Sequence, residues 1–301
     1  MVVTGATGLV GRALCARLAA EGVPFCVLSR NPARARRLVP GALSYQQWET
    51  IERGGPWVAL LERARAVVHL ASPLAAWSRW TSEYTQALYD SCVVGTRGLV
   101  SAVAQAGVPP EAFVSASAVG YYAPSPDGAE VDEAAPPGDG YLSRLAADWE
   151  AAAAHVEDFG VRAVCLRSGL VLARGGAVVR LRRAARLGFG GPVPPGTQPQ
   201  PWIHLEDEVG LVLLALRDRR VRGPLNCVAP EAVSSAEFMA RLRALAGVPF
   251  GLGQPRWLVR GAVAATCGRG AAPRLALEMG YEFRYPRLAP ALLAALRGAR
   301  A

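Results

Sequence analysis

Short apolar runs bounded by turn residues alternate along the chain with longer stretches in which apolar residues recur at helical spacing. The runs predict strands at Met1–Thr4, Pro24–Ser29, Ala66–Ala71, Ala112–Ser117 and Val161–Arg167. The stretches between them predict helices near Leu9–Glu21, Ser82–Ala106 and Leu142–Asp158. Such an alternation is typical of repeated β-α-β units, which build a parallel sheet.

The pattern changes after Gly169. Residues 184–201 are rich in Gly and Pro and predict a loop, after which a helix (His204–Arg217) and a strand (Pro224–Val228) resume the alternation. Two further helices are predicted at Ser235–Leu245 and Ala289–Leu296. We therefore predict an α/β fold: a Rossmann-type doubly wound parallel sheet over residues 1–170, to which residues 202–229 return. Residues 171–201 and 230–301 are expected to form a smaller, discontinuous C-terminal substrate lobe.

Composition narrows the class of protein. With 51% apolar and 19% charged residues, the chain is expected to bury a sizeable core rather than to be disordered. Neither an apolar run near the about 20 residues of a membrane helix nor a secretory signal is visible. Six dispersed cysteines without a C-x-x-C pair and three dispersed histidines indicate neither a disulfide framework nor a metal site. We expect a soluble intracellular protein, cytoplasmic or in an organelle matrix, with no metal and no membrane partner.

The net charge of +9 comes from arginine alone, because all 33 basic residues are Arg and the chain contains no lysine. The arginines cluster on separate helical stretches without interleaved aromatic residues, which is typical of solvated helix faces. We therefore expect no nucleic-acid partner. The composition also has a chemical consequence, since no reaction step in this protein can use a lysine.

The strongest chemical signal is a glycine-rich segment between the first predicted strand and the first predicted helix. Its glycines permit a tight turn, a close approach to a pyrophosphate and the packing of helix on strand. The pyrophosphate would then lie at the positive end of the helix. The segment predicts a dinucleotide site with contacts from Thr4, Gly5, Thr7, Gly8, Leu9, Val10 and Gly11.

The end of the second predicted strand bears on the choice of dinucleotide. An acidic residue about 20 residues beyond the glycines would bind the ribose hydroxyls of NAD. Residues 28–32 (LSRNP) contain no acid, and Ser29 and Arg30 offer donors that suit a 2′-phosphate. The sequence therefore predicts NADP as the cofactor. The alternative is that Arg30 only opens a surface helix.

The glycine pattern, together with Val67-Val68-His69-Leu70-Ala71, resembles the extended short-chain dehydrogenase/reductase superfamily. The segments at 115–122 (SASAVGYY), 167–172 (RSGLVL), 188–192 (GFGGP) and 202–204 (WIH) resemble its atypical "epimerase family" subgroup of cell-division-inhibitor-like proteins. The resemblance extends over essentially the whole chain. It implies further cofactor contacts from Leu70, Ala71, Ser72 and Ser115.

The resemblance also bears on catalysis. In the superfamily, a Tyr-x-x-x-Lys pair and an upstream Ser carry the reaction. By position, Ser117 corresponds to the serine and Tyr141 to the tyrosine, but Leu145 stands where the lysine would be. Tyr121 and Tyr122 are further candidates near the nicotinamide, with aromatic packing as the alternative for one of them. The candidate catalytic residues are Ser117, Tyr121, Tyr122 and Tyr141.

Two hypotheses of function follow. The first is an NADP-dependent oxidoreductase that transfers hydride to a small carbonyl substrate. Without a lysine to lower its pKa, a tyrosine keeps its proton at neutral pH, which favours reduction over oxidation. The second hypothesis, which the missing lysine keeps open, is a non-catalytic NADPH-binding protein that reports the state of the cofactor to a partner. A homodimer is left open as the assembly.

Overall fold

The computed structural model describes residues 1–49, 55–72, 81–125, 128–192, 194–248, 250–251 and 267–297. Its strands are β1 (Val2–Thr4), β2 (Cys26–Ser29), β3 (Ser44–Gln47), β4 (Ala66–His69), β5 (Ala112–Ala118), β6 (Arg162–Ser168), β7 (Leu170–Leu172), β8 (Trp202–His204) and β9 (Gly223–Cys227). Seven of them form one parallel sheet in the order β3-β2-β1-β4-β5-β6-β9. Strands β7 and β8 form a separate parallel pair.

Helices connect these strands. They are α1 (Leu9–Ala20), α2 (Pro32–Leu38), α3 (Ser82–Tyr89), α4 (Gly95–Ala104), α5 (Tyr141–Ala154), α6 (Ala177–Arg186), α7 (Leu205–Arg217), α8 (Ser235–Ala246), α9 (Arg274–Glu278) and α10 (Leu288–Arg297). A π-helical turn, Asp90–Val94, joins α3 to α4. In the described part of the chain, no helix is both long and apolar enough to cross a membrane.

The large sheet is buried on both faces because its apolar side chains alternate in direction along each strand. On one face, Val3, Val68 and Val164 pack in a cluster that includes residues of α1 and α7. On the other face, Val67 and Phe113 pack in a cluster that includes residues of α4. Helices on both faces of a parallel sheet confirm the predicted doubly wound Rossmann-type fold.

A separate hydrophobic cluster lies beyond the end of β6. Leu170 and Leu172 of β7 and Trp202 of β8 pack there with apolar residues of α6, α8 and α10, among them Phe238 and Leu292. Gly169 separates β6 from β7, so the chain passes directly from the large sheet into this cluster. The C-terminal part therefore adjoins the carboxyl edge of the sheet.

The observed elements differ from the predicted ones where local patterns are weak. β3 was missed because its sequence, SYQQ, is polar at the edge of the sheet, and β7 and β8 because each has only three residues. The prediction of a loop from residue 184 was wrong at its start, since α6 continues to Arg186. The predicted strand Ala66–Ala71 ends at His69, and the predicted helix Ser82–Ala106 contains the π-helical turn.

Candidate functional site

The strand order reverses between β1 and β4. The chain moves from β1 outward through β2 and β3, then returns to β4 on the other side of β1 and continues through β5 and β6. Helices therefore leave neighbouring strands toward opposite faces, which opens a crevice at the carboxyl ends of β1 and β4. The glycine turn begins directly after β1 and Leu70 directly after β4, so both segments lie at this crevice.

The glycine turn is packed too closely for side chains at two of its positions. Gly5 has φ +64°, and a Cβ there would lie 2.4 Å from the carbonyl carbon of Leu70. A Cβ on Gly11 would lie 2.3 Å from the carbonyl oxygen of Gly5. Gly5 lets the turn lie against the residue that follows β4, and Gly11 lets the first turns of α1 lie against the glycine turn. The predicted roles of these glycines, in a tight turn and in the packing of helix on strand, thus have a geometric basis.

Helix α1 presents its N-terminus to the crevice. Gly8 is its N-cap and has no side chain to cap the helix, and the first turn contains no acidic residue. The backbone N–H groups of a first turn have no partners within the helix, and they carry the positive end of the helix dipole. This end of α1 can bind an anionic group such as a pyrophosphate.

A cavity of about 340 Å³ opens beside the glycine turn. Its volume falls in the range of about 300–1,000 Å³ that is usual for ligand sites. Seven of the predicted cofactor contacts line it: Gly5, Gly8, Leu9, Val10, Gly11, Leu70 and Ser72. The other lining residues are Ala116, Ser168, Gly169, Leu170, Val171, Gly175, Gly176, Ala177, Arg180 and Glu208. A larger groove of about 720 Å³ lies between α1 and α7, but the glycine turn does not line it.

The other six predicted cofactor contacts do not line this cavity: Thr4, Thr7, Ser29, Arg30, Ala71 and Ser115. Ser115 is fully buried and donates to the carbonyl oxygen of Ala116. Thr4 is also buried, with its Oγ1 2.7 Å from Nδ1 of His69.

The end of β2 places Ser29 and Arg30 next to the glycine turn, because β2 pairs with β1. Arg30 is exposed, so its guanidinium is accessible to a ligand. The Ser29 hydroxyl is 3.2 Å from the backbone nitrogen of Asn31, and the Asn31 side chain caps α2 by accepting a hydrogen bond from the N–H of Arg34. These local bonds fix the course of the chain at Arg30.

Ser117, the candidate catalytic serine, belongs to a buried polar network under α5. Its hydroxyl donates to Oε1 of Glu150 over 2.6 Å. Arg167, in register with Ser117 on β6, binds both oxygens of Glu150 at 2.9 and 2.8 Å. Burial lowers the pKa of Arg167, but hydrogen bonding and the charge of Glu150 outweigh burial and raise it above its ordinary value. The Ser117 proton is thus directed at a carboxylate.

Tyr121 and Tyr122 belong to the same network. Tyr122 is 1% exposed, and its hydroxyl donates to Oδ1 of Asn226 at 2.7 Å and accepts from Arg167 at 2.8 Å. Burial raises the pKa of Tyr122 to about 12, against the opposing effect of Arg167. The guanidinium of Arg167 lies over the Tyr121 ring, with 3.5 Å between Cζ and the ring centroid. Both rings therefore have a structural role in fixing Arg167.

Tyr141 begins α5 and is more open, with 37% of its surface exposed. Its hydroxyl donates to the backbone carbonyl of Thr85 over 2.8 Å, and burial raises its pKa. Leu145, one turn further along, is buried in an apolar cluster with Cys92 and Trp149. Apolar packing thus takes up the position four residues after Tyr141.

A pair of polar residues that no sequence motif indicated lies on the α7 face of the sheet, opposite the network under α5. Ser168 and Glu208 both line the cavity, and the Ser168 hydroxyl donates to Oε1 of Glu208 over 2.6 Å. Burial raises the pKa of Glu208 to about 7. The only sequence signal is an acidic run, Glu206-Asp207-Glu208, in the first turn of α7, which is also the usual composition of a helix start.

The reversal of strand order, the glycine turn and the first turn of α1 together define a Rossmann-type dinucleotide-binding protein. The sequence profile of the NAD dependent epimerase/dehydratase family matches residues 1–227. The chain belongs to that family.

Relatives of known sequence and structure resemble the chain over nearly its whole length. It is 36% identical over 303 residues to the epimerase family protein SDR39U1 of Bos taurus, covering 97% of this chain and 98% of that protein. The crystal structure of human epimerase family protein SDR39U1 (isoform 2) with NADPH is 34% identical, with a TM-score of 0.85 and 99% of each chain covered. A UDP-glucose 4-epimerase from Thermus thermophilus, crystallised with NAD, shares the fold at 21% identity and a TM-score of 0.79, with 99% of each chain covered.

Proposed function

We propose that the protein binds NADPH in the cavity beside the glycine turn and reduces a small carbonyl substrate by hydride transfer. The observation that carries the proposal is the turn itself, where close-packed glycines and the first turn of α1 form a cradle for a pyrophosphate. The NADPH in the crystal structure of the human relative supports the choice of cofactor.

The residues present fit this cofactor. Gly8 is exposed at the N-terminus of α1, where its lack of a side chain leaves space for the pyrophosphate. Arg30 extends from the neighbouring strand β2 and supplies a cation for the 2′-phosphate. When bound, the nicotinamide ring supplies the hydride. The protein's own part is to hold the cofactor and to provide a proton.

The titration of the tyrosines favours reduction over oxidation. Burial raises the pKa of Tyr122 to about 12 and also raises that of Tyr141. Both phenols therefore hold their protons at neutral pH and can act as general acids but not as general bases. Tyr141 is the more exposed of the two, which makes it the better candidate for contact with a substrate.

A specific observation also favours the second hypothesis, a non-catalytic NADPH-binding protein. The hydroxyls of Ser117, Tyr122 and Tyr141 each donate to a protein acceptor, and Leu145 replaces the activating lysine. A hydroxyl that already donates within the protein must give up that bond before it can polarise or protonate a substrate.

An assay with NADPH and a panel of small aldehydes and ketones distinguishes the two functions. The first predicts NADPH oxidation that falls at least about tenfold in Ser117→Ala or Tyr141→Phe, the usual scale for loss of acid–base help being about 10²–10⁴. Tyr45→Phe, on β3 away from the cavity, serves as the control. Tight NADPH binding without turnover on the whole panel would favour the second function, and equal activity in all variants would remove these residues from catalysis.

A further inference from the structure

We propose that Glu208, held by Ser168, is a cofactor contact that carries a proton when the dinucleotide is bound. The inference rests on the proposed NADPH site. It adds Ser168 and Glu208 to the residues of the glycine turn as polar parts of the cavity that the sequence motifs do not contain.

The geometry of Glu208 carries the inference. Its side chain is 2% exposed and lines the same cavity as Gly8 and Leu9. One carboxyl oxygen, Oε1, accepts the hydrogen bond from Ser168, whereas the other, Oε2, is buried and has no hydrogen-bond partner among the residues that the structure describes. Most buried polar atoms in proteins have such a partner. The missing partner of Oε2, on a residue that lines the cavity, is the basis for assigning this contact to a bound ligand.

The alternation of side chains along β6 places Ser168, and with it Glu208, on the opposite face of the sheet from Ser117. Arg167 points toward α5 and Glu150, so its neighbour Ser168 points to the opposite face, where α7 lies. Ser168 and Glu208 are therefore separate from the polar network of the candidate catalytic serine. A change at Glu208 leaves the Ser117–Glu150 hydrogen bond in place.

Two groups that interact with Glu208 keep their protons at neutral pH. Cys227 on β9 and Tyr281 after α9 interact electrostatically with Glu208, and burial raises the pKa of both well above neutrality. On its own helix, Asp207 accepts backbone hydrogen bonds from Arg284 and Tyr285, and Glu206 forms an ion pair with Arg284. Among the residues that the structure describes, Arg180 on α6 is the cation that lines the same cavity.

The protonation state of Glu208 determines whether its carboxyl group can donate a hydrogen bond to a ligand in the cavity. A neutral carboxyl donates a hydrogen bond from Oε2, and a dinucleotide presents acceptors in its hydroxyls, phosphates and carboxamide. An ionised carboxylate would instead place a buried negative charge beside a polyanionic ligand. The dinucleotide thus binds more tightly to the protonated form. At a pH above about 7, where burial places the pKa of the free carboxyl, binding takes up a proton from solvent.

The test is a titration of NADPH binding by fluorescence between pH 6 and 9, with proton uptake measured by calorimetry in two buffers of different ionisation enthalpy. For the wild type, we expect the Kd to rise by up to about tenfold per pH unit above pH 7, with uptake of up to about one proton. Glu208→Gln should remove this rise and the uptake. Glu206→Gln, an exposed neighbour on the same helix, should keep both.

The outcomes separate this inference from the function on which it rests. A wild type that does not bind NADPH at any pH rejects the proposed function and the inference with it. A wild type that binds NADPH with no proton uptake above pH 7 rejects the inference alone, even if Glu208→Gln fails to fold. If Glu208→Gln and the wild type show the same pH dependence of NADPH binding, the inference is also rejected. The 2′-phosphate, with a pKa of about 6, contributes equally to the pH dependence of both proteins.

Discussion

The polar groups on the two faces of the sheet differ in how far their hydrogen-bonding capacity is used within the protein. On the α1 and α7 face, the N–H groups at the start of α1 and Oε2 of Glu208 have bonding capacity that the described part of the chain does not use. On the α5 face, the polar groups of Ser117, Glu150 and Arg167 are bonded to one another. The first arrangement suits the binding of a ligand and the second suits the stability of the fold. Membership of a family of enzymes therefore supports cofactor binding in this chain more directly than it supports catalysis.

The largest expected effect concerns the stability of the α5 face. Glu150→Ala leaves the Arg167 charge buried, so we expect the free energy of unfolding to fall by about 3–5 kcal/mol. Glu111→Ala, which breaks exposed pairs with Arg65 and Arg219, should lower the free energy of unfolding much less, because water screens exposed charges. Denaturant unfolding measures both. Equal losses in the two variants would mean that the network under α5 is not structurally important.

A smaller effect concerns the α1 and α7 face, where Glu208 should make the free energy of unfolding depend on pH. Since burial raises the pKa of Glu208 from 4.5 to about 7, the folded protein holds a proton that the unfolded chain loses. This contribution to stability is complete below pH 4.5 and is lost as the pH rises to about 7. The free energy of unfolding of the wild type relative to Glu208→Gln should fall by about 3 kcal/mol over that range. Glu206→Gln is the control, and parallel stability curves for wild type and Glu208→Gln would contradict the prediction.

The smallest effect concerns the choice between dinucleotides. If Arg30 binds the 2′-phosphate, Arg30→Ala should weaken NADPH binding by about ten- to a hundredfold, or 1.5–3 kcal/mol, and leave NADH binding unchanged. Arg97→Ala, an exposed arginine on α4, should change neither affinity. Fluorescence titration with both cofactors measures the effect. Equal wild-type affinities for NADPH and NADH would exclude this role of Arg30.

The same comparison shows what the sequence could predict. The sheet and the glycine turn follow from local patterns, namely apolar runs, helical periodicity and glycines at a strand–helix junction. The partners of Ser117 and Ser168 could not be predicted, because Glu150 is 33 residues and Glu208 is 40 residues away along the chain. Whether a hydroxyl is bonded within the protein is a property of tertiary packing, so the resemblance could supply catalytic candidates but not their bonding. The roles given to Ser117, Tyr121, Tyr122 and Tyr141 stay predictions.

The central claim, that the glycine turn is an NADPH site, is tested most directly by NADPH titration of the wild type and Gly8→Val. Among the described residues, a Cβ on Gly8 would approach only the carbonyl oxygen of Gly5 within 4 Å, at 3.1 Å. The variant should therefore fold and lose binding by more than about a hundredfold as its side chain fills the pyrophosphate space. Gly107→Val, where a Cβ meets no atom of the described residues within 4 Å, should bind as the wild type does. Unchanged NADPH affinity in a folded Gly8→Val protein would contradict the account.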